Sequence, residues 1–200
     1  MNATGRWTLR LGLVLAVVLA AVGIRSLGGL GSARQAGSYV HDSFVMGTVL
    51  NIKIRGADRE LAERAASAVI DEARRLHALF DPHDPESEIS RLNRRAADGG
   101  GTVALSFDAA RVLAAAIAVR NSSDGSFDPA LGPLIDIWGF GDEKVQRDLP
   151  DSSALTVLAD SLMSAGRIAL TPDSSSAVVP AGMGALDVGG IAKGYAVDRA

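Results

Sequence analysis

Cysteine is absent from all 200 residues, which excludes a disulfide framework, a thiolate metal site, a cysteine nucleophile and a lipid-modified cysteine at an export junction. A thiol-free chain suits an oxidising compartment without requiring one. Histidine is scarce: His41, His77 and His83 have neither the spacing nor the cysteine partners of a zinc site. Basic residues do not outnumber acidic ones, and the formal charge is −3, so a broad phosphate-backbone surface for nucleic acid is excluded. Aromatic residues make up only 4%, and the sequence contains neither a G-x-S-x-G nucleophile elbow nor a Walker A loop. What remains, a hydrophobic share of 48% with 22 glycines, describes a loop-bearing globular chain with a core of ordinary composition.

Acidic residues are also missing from the first 41 positions. Arg6 and Arg10 precede the uncharged run "LGLVLAVVLAAVGI" at residues 11–24, which Arg25 ends. A basic start followed by a short apolar run is the layout of an export signal, and small residues around "GSA" place a cleavage point after Ala33. Residues 1–33 are therefore expected to be a signal peptide or, uncleaved, an N-terminal anchor through residues 11–24. Cleavage removes three arginines and no carboxylate, taking the formal charge from −3 to −6. Residues 34–43 are expected to be a linker on their Gly/Ser-rich context, and residues 44–200 a folded domain.

Helices and strands alternate through that domain, which predicts an α/β (α+β) fold, a mixed sheet with flanking helices. "VLNIKI" places Leu50, Ile52 and Ile54 on one face and so predicts a half-buried strand. Asp58 can cap a helix running to Phe80, with Leu61, Ala65, Val69, Leu76 and Phe80 as its apolar stripe. Asp84-Pro85 predicts a second helix start, a cap followed by proline at the first helical position. Further helices are expected over 107–121, with Val112, Leu113, Ala116 and Ile117 inward, and from Asp151 to about Ala165. "RIAL" and "SAVV" are expected to be short strands around the "TPDSSS" turn.

Three stretches resist a purely structural account. "HALFDPHDPESEISRLN", residues 77–93, is an acidic, proline-bearing segment whose default reading is a solvated interhelical loop. "GSFDPALGPLIDIWGFGDE", residues 125–143, fits neither helical nor strand periodicity; its Trp138 and Phe140 suit either a flat aromatic ligand or a loop pinned to the core by two rings. "LDVGGIAKGYAVDRA" ends the chain with a glycine pair before a helical pattern, where backbone N–H groups and the helix field favour an anion. With Gly190 as N-cap, Lys193 lies in the first turn, and Asp187 can take a hydroxyl, an amine or a metal.

In this order, "FVMGTVLNI", "LFDPHDPESEISRLN", "GSFDPALGPLIDIWGFG" and "LDVGGIAKGYAVDRA" resemble the successive motifs of the ApbE family, the bacterial FAD:protein FMN transferases. The resemblance implies an exported, Mg²⁺-dependent enzyme that binds FAD and moves FMN onto a Thr or Ser hydroxyl of a partner flavoprotein, releasing AMP. The implied partner is a subunit of a membrane redox complex, and the implied location is the periplasm or the outer face of the inner membrane. Carried over by position, Met46, His83, Ser126, Phe127, Asp128, Asp187 and Lys193 are the implied flavin-nucleotide contacts, Asp187 and Lys193 the implied catalytic pair, and the Gly190 carbonyl the implied Mg²⁺ ligand. His83 stands where the family carries a tyrosine, and Ala130 where a threonine commonly follows "FDP". The family's later strands, His-bearing motif and Asp/Asp/Thr metal cluster have no counterpart in residues 1–200, so the chain is expected to be an N-terminal fragment lacking the C-terminal part of the fold. Two alternatives stay open: a periplasmic FAD-binding module without transfer, and an FAD pyrophosphatase.

Overall fold

The computed structural model describes residues 38–140 and 149–200. The expected signal or anchor, the first four linker residues and Gly141–Glu143 of the aromatic loop lie outside the described residues. Tyr39–Val45 (β1) and Thr48–Ile54 (β2) form an antiparallel hairpin, with Val45 opposite Thr48. Residues 39–43, expected as linker, therefore belong to β1. Its alternation is masked because Val40 and Phe44 lie on the hairpin's exposed face, 52% and 68% accessible.

Arg59–Phe80 (α1) starts as expected, with the Asp58 carboxylate accepting from the Leu61 N–H at 2.8 Å. Its buried stripe is Ala62, Ala66, Ile70, Ala73, Leu76 and Phe80, one residue out of phase with the expected stripe over its first half. Ile52 packs on Ala66 and Ile70 in a satellite cluster. Small alanines let the hairpin approach the helix closely, and Leu61 turns to solvent, 48% accessible.

Glu88–Ala97 (α2) begins three residues later than Asp84-Pro85 suggests. Asp84 instead closes a turn, accepting from Glu86 N–H at its carboxylate and from Ser87 N–H at its carbonyl. Ser87, buried, caps α2 through the Ser90 N–H at 3.0 Å. Gly101–Ala104 (β3) leads to Phe107–Ser122 (α3), whose N-cap Ser106 donates both its N–H and its hydroxyl to the Glu88 carboxylate. One buried carboxylate thus serves the N-termini of two helices, where negative charge is favoured.

Gly132–Trp138 (α4) is a helix where no periodicity was visible. Seven residues are too few to display one, but Pro133 in the first turn and Gly139 at φ 73° after the last are its start and stop signals. Ser152–Ser164 (α5), capped by Asp151, follows. Ala169–Leu170 (β4) and Ser176–Val179 (β5) flank the expected turn and join β3 in an antiparallel sheet of order β3-β5-β4. Gly189–Arg199 (α6) closes the chain. The expected α+β class is what forms, its described strands lying in two small antiparallel sheets. The main core, with Leu76, Ile89, Leu92, Leu113, Leu186 and Val188 wholly buried, lies between α1, α2, α3, α6 and the three-stranded sheet.

A polar network fastens α6 to α1 and α3. The Tyr195 hydroxyl donates to Asp108 at 2.6 Å, and Arg75 bridges Asp108 and Glu72, each at 2.8 Å. Arg199 reaches Glu72 at 3.4 Å, and the Phe80 and Tyr195 rings meet edge to face. The hydrogen bonds from Arg75, with Arg199 adding to them, hold the Glu72 carboxyl down at about 2. Burial works to raise Asp108, but bonds from Tyr195 and Arg75 outweigh it and leave it below its ordinary value. Carboxylates depressed by folding stabilise above their unfolded pKa and lose that stabilisation as pH falls toward the folded one. Urea midpoints should therefore fall as pH drops from about 4.5 toward 2. Glu72→Gln should lower the midpoint at pH 7 and flatten this acid slope, and an unchanged slope would contradict the network's role.

Candidate functional site

Met46 and Gly47 form the two-residue turn of the hairpin, with φ of 53° and 68°. That is the mirror-image turn that matches strand twist, and it normally takes Asn-Gly or Gly-Gly. A methionine there is conformationally costly. The side chain is half-buried against the main core. It also lines a cleft of about 340 Å³ between the hairpin, α1 and α6, on which Lys193 stands as well. The structure thus brings together two residues 147 positions apart in sequence.

The other expected site residues lie on two segments held side by side. Residues 129–132 run beside residues 184–187: the Asp187 N–H donates to the Pro129 carbonyl at 2.8 Å, and the Gly132 N–H to the Ala185 carbonyl at 2.9 Å. On the other flank, the Asn93 amide of α2 pairs with both main-chain polar groups of Leu186, accepting from its N–H at 2.7 Å and donating to its carbonyl at 3.1 Å. Glycines permit this contact. A Cβ on Gly132 would stand 2.6 Å from the Ala185 oxygen, and one on Gly184 would overlap the Ala130 carbonyl. Phe127 lays its ring over the start of α6, where a Cβ on Gly190 would stand 3.1 Å from its Cε2.

Helix α6 begins at Gly189 with Val188 as cap, two residues earlier than the expectation that Gly190 is the N-cap, so Lys193 stands just past the first turn. Asp187 explains the shift: its Oδ1 accepts from the Gly189 N–H at 2.7 Å and closes the turn. Lys193 reaches back one turn, its Nζ donating to the Gly189 carbonyl at 3.3 Å. A Cβ on Gly189 would stand 3.0 Å from Asp187 Oδ1 and 3.5 Å from Lys193 Nζ, so carboxylate and ammonium flank one bare Cα. The Val188 carbonyl takes the N–H groups of Ile191 and Ala192, leaving the exposed Gly190 N–H without an acceptor among the described residues. Asp187, Gly190, Lys193 and Phe127 therefore share one surface.

Three expected residues sit differently. Asp128 turns inward: Oδ2 accepts from Arg120 Nε at 2.8 Å and faces Arg167 Nε at 3.5 Å, while Oδ1 accepts from the Ala130 N–H at 2.9 Å. Ser126 is exposed at the turn after α3, its N–H donating to the Ser123 carbonyl. His83 is exposed in the turn after α1, three residues from the Phe80 ring that packs on Tyr195. Trp138 and Phe140 stack on each other, 43% and 71% accessible, and so do not pin their loop to the core. Asn93, Arg120, Arg167 and Tyr195 were not picked out by the sequence. Asn93 is the most legible of these in the sequence, a polar residue one helical turn after Ile89 on the buried face of α2.

Mg²⁺ demands about six oxygens in near-octahedral array. Near Gly190 the chain offers one carboxylate, Asp187, already accepting one hydrogen bond, and no group of three His, Asp or Glu able to hold a metal occurs among the described residues. These residues do not by themselves fit Mg²⁺.

A sequence model of the ApbE family matches residues 46–200. The chain is 27% identical over 158 residues to the FAD:protein FMN transferase of Haemophilus influenzae, covering 77% of this chain and 45% of that protein. It is 28% identical over 192 residues to the one of Treponema pallidum, covering 93% and 50%. The crystal structure of the ApbE protein of Thermotoga maritima superposes with a TM-score of 0.69 at 25% identity, covering 82% of this chain and 51% of that one. The flavin transferase ApbE of Vibrio cholerae, at 24% identity with a TM-score of 0.65 and covering 82% and 52%, shares the fold. The chain thus spans about half the length of the curated relatives it matches.

The close approach of the two segments makes opposite predictions for two glycines. Gly132→Ala should cost about 1–3 kcal/mol, because its Cβ meets backbone that cannot rotate away. Gly194→Ala, helical with open space around it, should stabilise by about 0.5–1 kcal/mol. Urea denaturation of the two variants checks both signs.

Proposed function

The chain belongs to the ApbE family, and on that premise we propose that these residues serve FAD:protein FMN transfer, forming the face that receives the flavin nucleotide. The observation that carries the proposal is the convergence at the start of α6. Asp187 and Lys193 flank Gly189, the Gly190 N–H has no acceptor among the described residues, and the Phe127 ring covers Gly190. A bare helix start with an ammonium one turn in is suited to a pyrophosphate, since N–H groups and helix field favour the anion. The half-buried Met46, on the same cleft as Lys193, offers apolar surface for a flavin ring.

In the proposed reaction the oxygen of an acceptor Thr or Ser hydroxyl forms a bond to the phosphorus of the FMN half. The pyrophosphate P–O bond to the AMP half breaks, and AMP leaves with the electron pair as the hydroxyl proton is released. Positioning and charge neutralisation carry most of the catalysis in transfers at phosphorus. Lys193 would neutralise a phosphate oxygen, and the Gly190 N–H would donate to another. Asp187, with Oδ2 unbonded among the described residues, would orient the nucleotide or the acceptor hydroxyl. The proposed transfer is Mg²⁺-dependent, as the family resemblance implies, and the described residues around Gly190 supply too few oxygens to hold that ion by themselves. We further propose export through residues 1–33, retention at the outer face of the inner membrane where residues 11–24 are kept, and a flavoprotein subunit of a membrane redox complex as acceptor. Among the described residues, no helix is long and apolar enough to cross a membrane.

That no group of three acidic or histidine side chains able to hold a metal occurs among the described residues favours one second reading, a module that binds FAD without transferring FMN. Flavin fluorescence gives the affinity for FAD, and the mass of a Thr-bearing acceptor incubated with protein, FAD and Mg²⁺ reports transfer. The proposal predicts FAD binding, weakened about tenfold (about 1.4 kcal/mol) by Lys193→Ala, and one FMN gained per acceptor. Bound but unchanged FAD supports the module, free FMN with AMP indicates hydrolysis, and no FAD binding refutes all three.

A further inference from the structure

We infer that Asn93 is a positioning residue for the flavin site, acting through Leu186 on Asp187; the inference rests on the function proposed above. Asn93 touches none of the groups assigned to the nucleotide. Its side chain makes two bonds, both to the main chain of Leu186, from a helix 93 residues away in sequence. Leu186 is wholly buried, so in the intact fold its main chain relies on Asn93 rather than on solvent.

The next residue is Asp187, and its direction follows from a short series of constraints. Asn93 fixes the Leu186 peptide groups, the Pro129 carbonyl fixes the Asp187 N–H, and the Gly189 N–H fixes one carboxylate oxygen. Within this series Asn93 supplies the polar side-chain link to α2; the other partners are main chain. Its chemistry is also narrow. An amide presents one acceptor and one donor in a plane, matching the N–H and C=O of a single residue as a neighbouring strand would. Aspartate keeps the acceptor and loses the donor, leucine loses both, and glutamine reaches one methylene too far.

A purely structural Asn93 would stabilise the protein without affecting the nucleotide. A positioning Asn93 should control both the local order at residues 187–189 and FAD affinity. The test measures amide hydrogen exchange and FAD binding for the wild type, Asn93→Leu, Asp187→Asn and the double variant. Expected for Asn93→Leu is at least tenfold faster exchange at the Asp187 and Gly189 amides, with rates in the middle of α3 unchanged, and at least tenfold weaker FAD binding. In the Asp187→Asn background the same substitution should change FAD affinity less than twofold, because the carboxylate through which it acts is gone. An undiminished effect in that background would overturn the inference, as would unchanged affinity or unchanged exchange at residues 187–189. Should Asn93→Leu fail to fold, Asn93→Asp carries the same test with smaller effects. If the wild type binds no FAD, the proposed function fails, and the exchange rates still decide whether Asn93 orders Asp187.

Discussion

A stretch of irregular chain, residues 184–188, has to cross the protein interior, and the arrangement around the candidate site depends on how its main chain is satisfied there. Leu186 and Val188 are wholly buried, and an unpaired buried N–H or C=O costs about 1–3 kcal/mol. Among the described residues, no regular sheet provides partners. A side-chain amide does so on one flank and a proline-bearing loop on the other. The glycines at 132 and 184 follow from this constraint, since the two chains run too close for a Cβ. So does the site, because the segment delivers Asp187 and the first turn of α6 to a fixed place beside Phe127.

The polar groups divide between holding the scaffold and remaining available to a ligand. Glu72, Arg75, Asp108, Tyr195 and Arg199 satisfy one another across three helices. Asp128 is likewise engaged by Arg120 and by its own loop, so in this structure its carboxylate braces the loop that presents Phe127. Among the described residues, Lys193 is held only by a 3.3 Å bond to the Gly189 carbonyl and the Gly190 N–H has no acceptor. A helix start with spare donors and a weakly held ammonium is a surface on which an anion gains more than it displaces.

Much of the fold was legible where local chemistry decides it. Asp58 and Asp151 cap helices as their sequence context indicates, and the "TPDSSS" turn separates two short strands. The misplacements have physical causes. Asp84-Pro85 carries a helix-start signature, but its carboxylate is used in a turn and Ser87 takes the cap. The stripe of α1 is out of phase because close packing selected alanine over Leu61. Helix α4 was too short to show a period, although Pro133 and Gly139 mark both its ends. At the site, Asp187, Gly190 and Lys193 were visible as a local pattern. The long-range pairings that place them, Asn93 with Leu186 and Phe127 with Gly190, were not, because no local periodicity records a contact across 60 or 90 positions.

Amide chemical shifts of the ¹⁵N-labelled chain, followed while FAD is added, test the central claim most directly. The largest changes should fall on Phe127 and on Gly189, Gly190 and Lys193 together, with the β4–β5 turn and α5 unaffected. Changes confined to that turn or to α5, or no saturable change anywhere, would contradict it.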